Sequence, residues 1–341
     1  MAHESLYRKY RPQSFKEVAG QEQVIRPLAQ EIKDKKIGHA YLFSGSRGLG
    51  KTSVARIFAR EIGASEQDIA EIDAASNNSV EDIRSLADNV YTLPFGSPYK
   101  VYILDEAHML SKAAWNAFLK TLEEPPAHAV FILATTEPER IPETVVSRCQ
   151  VFEFKKPSRN DLAKVIAEVA KKEGFTLALD AADLVSLLAG GSYRDALSTL
   201  QKVLAAAPDK KVSREDAEGA TGAPKRELVD ALISALALGD RAKALGAIEK
   251  AVNADTDIQL FLELVIESLR RVLLIRHAPE IRASLAESLG VEEFATLEKF
   301  AKEKGITHHT LLAFLTASER IRYAPIAALP LELAVLELFP E

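Results

Sequence analysis

Through the first 155 residues, short runs that are apolar at nearly every position alternate with longer stretches in which apolar residues recur every third or fourth place. The short runs are 41–44, 70–73, 101–105, 130–135 and 151–154. A strand with one wet face alternates apolar and polar residues, whereas these runs are apolar on both faces. They therefore predict a parallel sheet covered by helices on both sides, with ligands at the carboxyl ends of the strands. Beyond Lys156 and Pro157 the β pattern stops. Residues 158–207 read as helices broken at "EGF" (173–175) and "GGS" (190–192), and "EGATGAP" (218–224) reads as a hinge or linker. From about Lys225 onward the pattern is helical again, with apolar faces such as Leu260, Leu264 and Leu269. The expected organisation is an α/β region at 1–156, a small helical region at 157–222 and a helical region at 223–341.

One of the strand-to-helix junctions carries chemistry. "GSRGLGKT", from Gly45 to Thr52, fits the phosphate-binding loop pattern between an apolar strand and a helical run. Glycines 45, 48 and 50 let the backbone turn its N–H groups around phosphate oxygens, with Ser46, Arg47, Leu49 and the following Ser53 completing the loop. Lys51 has the reach for the β- and γ-phosphates, and Thr52 offers a hydroxyl to Mg²⁺.

Composition narrows the classes. The chain has 341 residues, enough for two or three domains, and is 47% hydrophobic and 27% charged, as soluble globular proteins are. Cys149 is the single cysteine, so neither an internal disulfide nor a cysteine-based zinc cluster is expected. The start "MAHESLYRKYRP" has no apolar leader, and Glu263, Glu267, Arg270 and Arg271 interrupt the most apolar helix, 258–275. A cytoplasmic protein with no membrane partner is the expectation. A net charge of −6 argues against coating nucleic acid by bulk basicity, so any DNA contact is local or arises in an assembly.

Four further stretches bear on the loop. "KVYILDEAH" (100–108) ends a strand in two carboxylates. Asp105 suits the Mg²⁺ shell, and Glu106 suits orienting or deprotonating an attacking water; His108 beside them reads as structural or helix-starting. "FILATTEPERIP" (131–142) ends the neighbouring strand in threonines, placing a polar side chain between the loop and the carboxylates. Arg148 in "SRCQVFEF" is either a surface charge or a finger on a neighbour's nucleotide, and Arg194 in "GGSYRDAL" either reaches the γ-phosphate or pairs with Asp195. Trp115, Phe118, Leu119 and Leu122 have helical spacing and read as core.

In order, these pieces resemble an AAA+ ATPase, and more narrowly the gamma/tau subunit family of bacterial DNA polymerase III, the clamp-loader motors. The resemblance rests on "YRKYRPQSFKEVAGQE" (7–22), "HAYLFSGSRGLGKTSVAR" (39–56), "EIDAASNNSVEDIR" (71–84), "VYILDEAHMLSKAAWNAFLKTLEEPP" (101–126), "ATTEPERIPETVVSRC" (134–149) and "GGSYRDALS" (190–198). The C-terminal third matches only in being helical and in its position. The resemblance implies a five-stranded parallel sheet with a helical lid and a helical collar that holds a pentamer. It implies Thr135 as the sensor-1 residue, Arg148 as the trans-acting finger and Arg194 as the sensor-2 arginine. It also puts Tyr7, Arg11, Pro12 and Val18 at the adenine. The implied work is ATP- and Mg²⁺-dependent opening of the sliding clamp and its loading on primed DNA, alongside other loader subunits.

Two departures stand out. The family's four-cysteine zinc module is replaced by the short interval "EIGASEQDIAE" (61–71), so no zinc is expected. The extra domains of the family's longer form, which bind helicase and polymerase, are also lacking, through truncation or because this is a short form. By resemblance, "AASNNSVEDIR" and "MLSKAAW" open helices facing the inside of the assembly. There Asn77, Asn78, Arg84 and Lys112 would touch phosphates without reading sequence, unless the asparagines simply cap a helix. Two rival readings are another AAA+ motor such as a branch-migration helicase, and a non-hydrolysing loader subunit. Intact Lys51, Thr52, Asp105 and Glu106 argue against the second.

Overall fold

The computed structural model describes residues 4–289 and 291–339. The chain divides into two compact units, one of 1–165 with 188–198, the other of 166–187 with 199–341. In chain order the elements up to the first boundary are α1 (Leu6–Lys9), α2 (Glu22–Asp34), β1 (Ala40–Ser44), α3 (Lys51–Glu61), β2 (Ile69–Asp73), α4 (Val80–Val90), β3 (Lys100–Asp105), α5 (Lys112–Glu123), β4 (Ala129–Thr135), α6 (Glu143–Val146) and β5 (Gln150–Glu153). Helix α7 (Arg159–Lys172) crosses that boundary.

The five strands pair in the order β2-β3-β4-β1-β5, all parallel. Alternate side chains leave opposite faces of each strand, which accounts for the two apolar clusters. Tyr41, Phe43, Val101, Ile103, Val130 and Ile132 face Val24 and Leu28 of α2 and Val54 and Phe58 of α3. Leu42, Tyr102, Leu104, Phe131 and Leu133 face Ile83 and Leu86 of α4, Trp115 and Phe118 of α5 and Val145 of α6. Trp115, Phe118 and Leu122 are buried, and Leu119 packs against the same cluster, so the helical stripe is core as its spacing predicts. The strands agree with the apolar runs to within a residue at each end; Phe154 falls just outside β5 but remains buried.

Register aligns the chemistry. Ser44 at the end of β1 lies beside Thr135 of β4, and Asp73 of β2 lies beside Asp105 of β3. Because β4 sits between β1 and β3, Thr135 ends its strand between the loop after β1 and the carboxylates after β3.

The second unit is built on helices. After β6 (Thr176–Leu177) come α8 (Leu179–Leu188), α9 (Tyr193–Ala206), β7 (Lys211–Val212), α10 (Arg214–Thr221), α11 (Arg226–Leu238), α12 (Arg241–Asn253), α13 (Ile258–His277), α14 (Pro279–Leu289), α15 (Val291–Lys302), α16 (His308–Arg320) and α17 (Leu329–Leu338). The chain passes between units at the end of α8 and inside α9.

Two expectations need correcting here. The β pattern does not stop entirely, because β6 and β7 form a short parallel pair. These strands are two residues each, too short to show a period. The stretch 218–224 is not a continuous linker, since α10 runs to Thr221 and only then does Gly222, at φ +71°, stop it as a left-handed cap. Glu218 in that stretch is buried and accepts from Arg214 Nε at 2.9 Å.

Arg271 of α13 sits at the centre of a buried ion network and is only 5% exposed. Its guanidinium donates to Asp183 Oδ2 at 2.8 Å, Glu293 Oε1 at 2.8 Å and Glu267 Oε1 at 3.0 Å. Arg214 Nη1 donates to the other oxygen of Glu293 at 3.2 Å. No helix among the described residues is long and apolar enough to cross a membrane.

Candidate functional site

A cavity of about 430 Å³ opens at the carboxyl end of the sheet, wholly within the first unit. Its lining includes Arg47, Gly48, Leu49, Gly50, Lys51, Thr52 and Ser53 from the loop after β1, Asp105 and Glu106 from the end of β3, and Arg194 from the start of α9. Tyr7, Arg11, Pro12 and Val18 close another side, together with Tyr10, Glu17, Ala19 and Tyr193. Arg11, Arg47, Lys51 and Arg194 give the cavity a cationic lining that suits a polyanion.

The loop's shape follows from its glycines. Gly45 has φ +138°, and a β-carbon there would stand 2.5 Å from the Phe154 carbonyl oxygen. Gly48, at φ +77°, is approached so closely by Ser192 that a β-carbon would meet its Oγ at 2.0 Å. The Gly48 carbonyl accepts from the Tyr193 N–H at 3.1 Å, and the Tyr193 hydroxyl donates to the Ala19 carbonyl at 2.9 Å. The start of α9 is thereby tied both to the phosphate loop and to the N-terminal segment. Arg194 then projects over the Tyr7 ring, with Cζ 5.9 Å from the centroid.

Lys51 is the first residue of α3 and only 6% exposed. Its ammonium donates to the Gly45 carbonyl at 2.6 Å and the Ser46 carbonyl at 3.0 Å, so Gly45 and Ser46 meet the site through their backbones rather than by lining the cavity. Burial pushes its pKa down, while Glu106 and Asp105 oppose that shift. Arg11 is likewise pushed down by burial, and its Nε donates to Ser53 Oγ at 2.9 Å. Thr52 Oγ1 donates to Asp105 Oδ2 at 2.8 Å. This hydroxyl and carboxylate converge as two oxygen donors, which fits a hard divalent cation such as Mg²⁺ completed by phosphate and water. Asp105 and Thr52 would hold it.

Glu106 has φ +50° and ψ +44°, a left-handed conformation for a residue with a side chain. Such a conformation costs about 1–3 kcal/mol and persists only where the surroundings impose it. Here the Glu106 N–H donates to Asp105 Oδ1 at 3.0 Å, and Thr136 Oγ1 donates to Glu106 Oε2 at 3.2 Å. The turn brings His108, 7% exposed, under the end of β4. Its Nδ1 lies 3.0 Å from Thr135 Oγ1 and 3.6 Å from Glu106 Oε2, and its Nε2 lies 3.3 Å from Glu137 Oε1. Thr135 is fully buried, and its carbonyl accepts from the Gly45 N–H at 3.2 Å.

Glu137 has no role legible in the sequence, and His108, which reads there as structural or helix-starting, lies in a short helical turn, Ala107–Met109, and also meets Thr135. A histidine two places after an acidic pair and a Thr-Thr-Glu run one strand away are separate signals until the sheet register joins them. Ser192 and Tyr193 are the other residues missed, for the same reason.

Arg148 and the polar residues of α4 and α5 lie elsewhere. Arg148 does not line the cavity; Nη2 donates to Glu123 Oε1 at 2.7 Å and Nη1 to the Thr144 carbonyl at 2.7 Å. Cys149 beside it is pushed up to about 12 by burial, which keeps it a thiol. Helix α4 is capped by Ser79, whose Oγ accepts from the Asp82 N–H at 3.1 Å, and α5 by Ser111, which accepts from Ala114 at 3.1 Å. The asparagines do not cap these helices. Asn77 Nδ2 instead donates to the Asp73 carbonyl at 3.0 Å, and the Asn78 carbonyl accepts from the Ser111 N–H at 3.5 Å. That last bond joins the two helix N-termini, where Asn78 and Lys112 are exposed; Arg84 is exposed further along α4.

A parallel sheet with a phosphate loop after β1, an acidic strand end on β3 and a polar strand end on β4 between them defines an AAA+ P-loop fold. The likeness extends to the Holliday junction branch migration motor RuvB of Thermotoga maritima. At a TM-score of 0.54 and 21% identity, over 83% of this chain and 86% of that one, it bears on the fold alone. The family model described as DNA polymerase III, delta subunit, matches residues 20–79 and 64–158, and that described as DNA polymerase III subunits gamma and tau domain III matches 212–340. DNA polymerase III subunit tau of Bacillus subtilis is 38% identical over 86% of this chain and 55% of its own length. The gamma/tau subunit of Mycobacterium bovis is 39% identical over 81% and 52%, and the tau subunit of Escherichia coli 33% identical over 98% and 55%. The chain belongs to the DNA polymerase III gamma/tau family. It spans about half the length of these curated relatives.

Proposed function

We propose that the chain is an ATP-hydrolysing motor subunit of a bacterial DNA polymerase III clamp loader, which opens the sliding clamp and places it on primed DNA. The observation that carries this reading is the convergence of Lys51, Thr52, Asp105 and Glu106 on one cationic cavity in a chain of the gamma/tau family. The loop amides and Lys51 bind the phosphates, Arg11 and the segment around Tyr7 and Val18 receive the base, and Glu106 orients the attacking water. Thr52 and Asp105 would hold Mg²⁺, which would supply charge neutralisation at the phosphates. Thr135 and Arg194 sense the γ-phosphate, and Arg148 serves the nucleotide of a neighbouring subunit.

Asn77, Asn78, Arg84 and Lys112 contact DNA phosphates independently of sequence, and the C-terminal helices form the collar of a pentamer. The regions 1–156, 157–222 and 223–341 act as motor, lid and collar in the cytoplasm. No zinc is required, and elemental analysis of purified protein checks that point: one tightly held zinc per chain would overturn it. The principal test is ATP hydrolysis with clamp and primed DNA supplied separately and together. Stimulation requiring both supports clamp loading, whereas stimulation by duplex DNA without clamp supports a translocating motor instead.

A further inference from the structure

We propose that His108 is a positioning residue for hydrolysis, acting through the hydroxyl of Thr135; this rests on the ATPase reading above. The ring is buried and meets three side chains, of which Glu106 and Thr135 are the water-orienting and γ-phosphate-sensing residues of that reading and Glu137 is a third. Glu137 presents a carboxylate oxygen 3.3 Å from Nε2, and an ionised carboxylate only accepts, so this nitrogen carries the hydrogen. In the neutral ring Nδ1 is then an acceptor. Its neighbour at 3.0 Å is Thr135 Oγ1, which already accepts from the Glu137 N–H at 3.0 Å. The threonine's single hydrogen therefore points at the imidazole.

A fully buried hydroxyl held this way has one orientation, and its oxygen is fixed relative to the phosphate loop through the Thr135 carbonyl and Gly45 N–H. The same imidazole nitrogen stands 3.6 Å from Glu106 Oε2, so the water-orienting carboxylate and the sensing hydroxyl flank one ring. Neither can shift far without disturbing it. For Thr135 to donate to a phosphate oxygen its hydrogen turns away from Nδ1, while the ring and the Glu137 N–H keep its oxygen in place. Glu137, partly exposed, is held on its other oxygen by Arg140 Nη1, which donates to Oε2 at 3.2 Å.

The experiment is ATP binding and hydrolysis, in the assembly with clamp and primed DNA, by the full chain carrying His108→Leu, His108→Asn, Thr135→Val and the double change His108→Leu with Thr135→Val. Leucine fills the space without a polar atom, and asparagine restores a polar atom where Nδ1 stood. We expect His108→Leu to lower kcat about 10- to 100-fold, the scale on which small misplacements act, with nucleotide affinity changed by no more than about twofold. His108→Asn should recover most of that loss. If His108 acts through Thr135, the double variant falls no further than Thr135→Val alone.

Wild-type kcat in His108→Leu, or losses that multiply in the double variant, would overturn the inference while leaving the ATPase reading intact. A wild-type assembly that binds ATP but never hydrolyses it, with clamp and primed DNA supplied, would overturn both. Should the leucine variant not fold, His108→Asn decides, because turnover reduced as deeply as in Thr135→Val would contradict rescue through Nδ1's partner.

Discussion

Lys51 and Glu106 both line the cavity but are held by different means. The lysine is anchored on the loop's own carbonyls, and the glutamate is presented by a left-handed turn. These arrangements separate their work. Lys51→Ala should abolish tight ATP binding. Glu106→Gln keeps the side-chain shape and should bind normally while single-turnover hydrolysis stops. Titration of both variants with ATP, followed by rapid-quench assay, checks the pair; normal hydrolysis in Glu106→Gln would remove it from the chemistry. At this scale spacing was informative where residues are close in sequence. It placed Lys51 and Thr52 at one loop and Asp105 and Glu106 at one strand end. It said nothing of His108 meeting Thr135, since that bond spans 27 positions and exists only because β3 and β4 are neighbours.

Among the elements, α13 shows how an apparently ill-placed charge is accommodated. Its apolar face is interrupted by Arg271, which burial would penalise were it not surrounded by Asp183, Glu267 and Glu293. Such networks add little over an apolar core, but breaking one strands the remaining charges. Arg271→Leu should therefore cost about 3–5 kcal/mol of unfolding free energy. Burial already pushes the Glu293 carboxyl above its ordinary range, against the pull of Arg214, Arg271 and Arg226. A carboxyl raised in the folded state contributes stability below its unfolded pKa and loses it as pH rises through the folded value. Removing Arg271 raises it further, so the variant's deficit should widen between about pH 5 and about pH 8. Urea unfolding at both pH values measures this, and a deficit independent of pH would contradict the account. From sequence, Arg270 and Arg271 merely excluded a membrane span; which of them turns inward depended on α8 and α15 being packed there.

For the whole molecule, the role proposed for Arg148 implies that one chain does not suffice. Arg148 lies outside its own chain's cavity, bound to Glu123, and a finger supplied across an interface is worth roughly 10³ to 10⁵ in turnover. Arg148→Ala should keep nucleotide affinity and lose turnover in the assembly. Mixing it with Lys51→Ala should restore part of the activity, because some intact loops then face intact fingers. If reassembly is verified by mass and activity stays absent, Arg148 does not act in trans. DNA contact is also expected to belong to the assembly, given the net charge of −6 on a single chain. Affinity for primed duplex should fall with salt at a slope of about 0.9 per neutralised phosphate, and Lys112→Ala and Arg84→Ala should each flatten it. An unchanged slope in both variants would take these residues out of the DNA path.

The sequence by itself determined the layered α/β fold, the strands to within a residue, and the phosphate loop, because each depends on neighbours in the chain: runs apolar on both faces, or glycines at set intervals. Tertiary structure alone decided that His108 bridges Thr135 and Glu137, that Ser192 and Tyr193 close on Gly48, and that Arg271 gathers three carboxylates. It also put the cap of α4 on Ser79 rather than on the asparagines, and showed helix in much of 218–224. The physical reason is common to these cases. A buried polar group must find a partner, and the partner is whatever the packing brings within 3–4 Å, which no local period in the chain records.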